Sequence, residues 1–85
     1  MYSVWYIQNF RDPNQASIRR YLEYPTRDSA MARYYTELAQ VGVDPTVLKS
    51  VVAMVYNDEG QILAYSKETS SWPEDAVTAE VYEGA

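Results

Sequence analysis

Residues 1–10 read MYSVWYIQNF, and the architecture turns on them. The run is rich in β-branched and aromatic side chains, which favour an extended chain. In a strand, Tyr2, Val4 and Tyr6 fall on one face and Trp5 and Ile7 on the other. An exposed edge strand alternates apolar with polar, whereas this one is apolar fore and aft. It therefore belongs in the middle of a sheet, and each of its faces needs a cover.

The next segment, RDPNQ (11–15), carries the chemistry of a type I turn: Asp12 ahead of Pro13, then Asn14. Residues 16–24, ASIRRYLEY, return as a second strand, with Ile18 and Leu22 on one side and Arg19, Tyr21 and Glu23 on the other. A helix over 16–24 also suits Arg, Leu and Glu, but the well-specified turn favours a hairpin. Pro25 then pushes Tyr24 to extended geometry.

Thr26 stands as an N-cap, with Asp28 in the first turn of the helix it opens. Ala30, Tyr34, Leu38 and Val41 recur at helical spacing, and Met31, Tyr35 and Ala39 widen the stripe. Arg33 and Glu37 are expected on the solvent face, and Gly42 is expected to end the helix in left-handed geometry with Val43 packed behind it. After a turn at Asp44–Pro45–Thr46, KSVVAMVY (49–56) is almost unbroken in its apolarity and reads as a central strand. NDEG (57–60) closes a hairpin with Gly60 at positive φ. QILAYSKE (61–68) forms the fourth strand, with Ile62 and Ala64 opposed to Leu63 and Tyr65.

The fold class is α+β: a two-layer β-β-α-β-β domain over residues 1–70, with a four-stranded antiparallel sheet in the order 2-1-3-4 and one helix on one face. That order satisfies the short connections, and it puts the two greasiest strands in the middle. Residues 71–85 contain four acids, no base and Pro73, and read as an acidic tail, loosely held or disordered.

A helix of about 15 residues is about 22 Å long and 10 Å wide, enough for one face of such a sheet. The other face is left with alternate aromatic and aliphatic side chains, an unusually large bare patch for a monomer. Two covers are available: a second copy of the chain, since twofold dimers are the commonest assembly, or the tail, through Trp72, Val77 and Tyr82. The second copy is preferred. The interface candidates are Tyr2, Val4, Trp5, Tyr6, Ile7, Val51, Ala53, Met54 and Val55.

Composition narrows the chemistry. Among 85 residues there is no His and no Cys, so no imidazole base, no thiolate nucleophile, no disulfide and no His or Cys metal ligand. Glycines at 42, 60 and 84 make no phosphate-binding loop. Aligning Gly60 to the glycine of a calcium loop puts Val55 and Ser66 at ligand positions, and the match fails. Glu23, Asp58 and Glu59 are read as solvated acids rather than a hydrolytic pair. No catalytic residue, cofactor or metal is therefore expected. With no basic leader and no apolar run long enough to cross a bilayer, the expected location is cytoplasmic, away from membranes.

Charge is uneven. Residues 1–43 hold five Arg against four acids, and residues 44–85 hold two Lys against eight acids. Overall the chain is −5, which disfavours nonspecific nucleic-acid binding. Tyrosine, at nine residues, is the outstanding bias and suits surfaces that bind protein. The resulting expectation is a small non-catalytic interaction module, homodimeric through its sheet, with an unidentified protein partner. Two alternatives rest on charge. One is an acidic inhibitor of the phage or mobile-element anti-defence type, imitating nucleic acid through Glu68, Glu74, Asp75, Glu80 and Glu83. The other is an anion or nucleic-acid contact through Arg19, Arg20 and Arg27.

Overall fold

A computed structural model describes residues 1–71. The acidic segment 72–85, with Trp72, Val77 and Tyr82, lies outside the described residues. The chain forms β1 (Tyr2–Phe10), β2 (Ile18–Tyr24), α1 (Arg27–Val43), β3 (Leu48–Tyr56) and β4 (Ile62–Thr69). The strands make one sheet in the order β2-β1-β3-β4, antiparallel throughout, with α1 on one face. This is the α+β arrangement expected from the sequence.

Local chemistry sets each junction. Between β1 and β2 the Gln15 N–H donates to Asp12 O at 3.0 Å, and the Asn14 N–H to Asp12 Oδ1 at 2.9 Å. Thr26 caps α1 by accepting the Ser29 N–H at 3.2 Å. Between β3 and β4, Asn57 Oδ1 accepts the Glu59 and Gln61 N–H groups at 3.0 and 2.9 Å, and Gly60 takes φ 80°. Arg11 ties three segments together: its backbone N–H donates to Val47 O at 3.0 Å, its Nε to Pro45 O at 2.6 Å, and a terminal nitrogen to Ser70 Oγ at 2.8 Å.

The core lies between α1 and the sheet. Val4, Val51 and Val55 are fully enclosed, joined by Tyr6, Ala53, Leu48 and the helical residues Ala30, Tyr34, Leu38 and Val41. Directly paired strand residues share a face. The helix-facing pairs are Val4–Val55, Tyr6–Ala53 and Gln8–Val51.

Four expectations are corrected. Gly42 does not end α1 in left-handed geometry. The helix runs on to Val43 because the Asp44 N–H still donates to Gln40 O at 2.8 Å, and Pro45 stops it; Val43 is exposed rather than packed. Arg33 and Glu37 are not on the solvent face. Glu37 is buried, Arg33 Nε stands 2.8 Å from its carboxylate without aiming its N–H at it, and the guanidinium donates to the Tyr6 hydroxyl at 3.2 Å. That bond to Tyr6, against the opposing effect of burial, holds the guanidinium pKa above its ordinary value. Inward rotation of Glu37 turns Tyr35 and Ala39 outward, so the apolar stripe is narrower than its spacing suggested. Finally, Ile62 and Ala64 do not share a face. Ile62 pairs with Tyr56 and Ala64 with Val55, so Leu63 is an extra residue, a β-bulge, and both Leu63 and Ala64 pack on the core.

Candidate interaction face of the sheet

Pairing across the strands lays out the face opposite α1 in rows. Glu23, Ser3, Tyr56 and Ile62 form the first row. Tyr21, Trp5, Met54 and Tyr65 form the second, and Arg19, Ile7, Val52 and Lys67 the third. Beyond them Asn9 pairs with Ser50 and Ser50 with Thr69. No described residue lies over this face. Trp5 is 41% exposed, Tyr21 50%, Ile62 54% and Tyr65 61%. Ile7, Val52, Met54 and Tyr56 are half-buried by their neighbours within the sheet.

The second row is aromatic or sulfur-bearing across all four strands. Trp5 and Tyr21 meet edge to face, centroids 5.9 Å apart at 80°. Tyr56 caps Met54 by donating its hydroxyl to the sulfur at 3.4 Å. Polar groups converge at the end where β3 turns into β4. The Tyr21 hydroxyl donates to Glu23 Oε1 at 2.8 Å and stands 2.9 Å from Ser3 Oγ. The Met1 amino group lies 2.7 Å from Asp58 Oδ1. Ser3, Trp5, Tyr21, Glu23, Tyr56 and Asp58 line a cup of about 440 Å³ there. A second concavity, about 660 Å³, lies between α1 and β4, with Tyr35 and Leu38 on one side and Ser66 and Glu68 on the other. Tyr34 at its base is buried, which raises the phenol above its usual 10.0, while a hydrogen bond with Ser66 works the other way.

The nine interface candidates divide between the faces. Tyr2, Val4, Tyr6, Val51, Ala53 and Val55 lie on the α1 side, all but Tyr2 buried in the core. Trp5, Ile7 and Met54 lie on the bare side. Tyr21, Val52, Tyr56, Ile62 and Tyr65 complete that side and were not among the candidates. Alternation along 16–24 already set Tyr21 opposite Leu22, so period two was the available signal for it. Of the arginines, Arg19 is on the bare face, Arg20 pairs with Tyr6 on the other, and Arg27 opens α1, so the three make no common anion cradle. Glu68 is exposed on β4, and Glu74, Asp75, Glu80 and Glu83 lie outside the described residues.

Among the described residues no group of three or more acidic, His or Cys side chains gathers to hold a metal, and no helix is long and apolar enough to cross a membrane. Compared with protein-family models, with curated proteins and with solved structures, the chain finds no match in any of the three.

Proposed function

We propose that this protein is a non-catalytic interaction module that self-associates through the sheet face opposite α1. One observation carries the reading: Tyr21, Trp5, Met54 and Tyr65 run side by side across four strands with nothing described above them. Aromatic and Met side chains are enriched at protein interfaces, where ring and sulfur lose water while hydroxyls keep a partner. Four strands at about 4.8 Å spacing, paired over about eight residues, present about 500 Å². Two copies then bury about 1,000 Å², near the lower bound for a specific interface.

Sedimentation of the full chain over a wide concentration range tests this. A concentration-dependent dimer is expected, weakened by Trp5→Ser while far-UV circular dichroism stays unchanged. A chain that remains a compact monomer at the highest concentration, with or without the substitution, overturns the reading.

A further inference from the structure

The bare face is electrically lopsided along its strands. Its first row holds Glu23, with Asp58 in the adjoining turn already paired with the Met1 amino group, and its third row holds Arg19 and Lys67 at the two edges. Arg19 is exposed and has no hydrogen bond or ion pair among the described residues. Two rows away on the same strand is the cup, with two ring walls at nearly a right angle and the Glu23 carboxylate at its rim. Perpendicular aromatic walls beside a carboxylate suit a planar cation, because ring faces and anion attract the same charge.

A twofold face-to-face pairing has two simple settings of its axis. An axis parallel to the strands lays β2 over β4 of the second copy and keeps rows in step, so Arg19 meets the second copy's Lys67. An axis crossing the strands at the Trp5 row lays β2 over β2 and exchanges the first and third rows. Each Arg19 then meets the other copy's Glu23, and the Trp5 rows stack on each other. Like charges oppose the first setting and opposite charges favour the second.

We infer that the cup formed by Trp5, Tyr21 and Glu23 is a guanidinium receptor, and that its occupant is Arg19 of a second copy, placed there by a twofold axis crossing the strands at the Trp5 row. This rests on the self-association proposed above and adds its orientation and its polar contact. First and third rows are four residues apart, about 13 Å. Rotation about the middle row therefore brings Arg19 over the cup, and the length of its side chain spans the remaining gap.

Charge reversal in the full chain tests it. Arg19→Glu and Glu23→Arg are both exposed changes on an edge strand, so the fold is expected to survive, as far-UV circular dichroism will show. Each single reversal sets two pairs of like charges across the axis and should raise the dimer dissociation constant about tenfold or more. Mixing the two single variants should restore association as a heterodimer, and so should the double variant with itself. If the wild-type chain dimerises and reversal has no effect, or reversal weakens it without rescue on mixing, the orientation is overturned while self-association stands. If the wild-type chain is a monomer throughout, both fall.

Discussion

The two faces of this sheet are built from the same strands, often from adjacent residues, yet they use different side chains. Under α1 the central pairs are Val4–Val55, Tyr6–Ala53 and Gln8–Val51, mostly small or β-branched groups that let a helix approach closely. On the reverse, the same strands offer Trp5–Met54 and Ile7–Val52, flanked by Tyr21 and Tyr65. Compact aliphatic residues fill an interior without voids. Large amphipathic rings form a surface that tolerates water and can exchange it for another surface. The contrast separates residues that hold the chain together from residues that leave large rings at the surface.

The largest effect should come from the covered face. Tyr34→Ala removes a buried ring from the core and should cost about 3–5 kcal/mol. A chain this small has on the order of 5 kcal/mol to lose, so urea titration should find the variant largely unfolded. Trp5→Ser on the bare face should change monomer stability by less than about 1 kcal/mol and weaken self-association by about 2 kcal/mol. Comparable losses of fold stability from the two substitutions would erase the distinction between the faces.

Removing Arg33 leaves the buried Glu37 carboxylate without its charge partner. Because the guanidinium is itself partly exposed, Arg33→Met should cost only about 1–2 kcal/mol. Adding Glu37→Gln should recover part of the loss, giving a non-zero coupling in a double-mutant cycle. The smallest effect is a pH dependence. The Tyr34 phenol titrates above its usual 10.0 in the folded chain because of burial. Its contribution to stability is then fully present below pH 10.0 and is lost as pH rises through the folded value. Unfolding free energy should therefore fall in strongly alkaline solution, and Tyr34→Phe should flatten the decline.

Most of the fold was legible because each element carried a local mark. Thr26 capped the helix, Asp12-Pro13-Asn14 and Asn57 to Gly60 made the turns, and the apolarity of 2–7 and 51–56 placed those strands centrally. Where reading failed, tertiary contact overrode local pattern. Glu37 looks like a surface acid, yet Tyr6 rising from β1 brings the Arg33 guanidinium to it and both turn inward. Gly42 has the composition of a helix stop, but backbone bonding carried the helix past it. The candidate face was half visible. Apolar runs marked the central strands, but only pairing distinguishes Trp5 from Val4 as outward rather than inward. Tyr21 and Tyr65 lie on strands whose mixed composition hid them.

The extra residue at Leu63 frees the phase of β4 from the hairpin that launches it. Were every residue from Ile62 onward laddered in strict sequence, Tyr65 and Lys67 would turn beneath the helix, and Ala64, Ser66 and Glu68 would turn out. Leu63 is thus a spare link. Deleting it should leave the aromatic row whole, whereas inserting one residue between Ala64 and Tyr65 should turn the strand inside out.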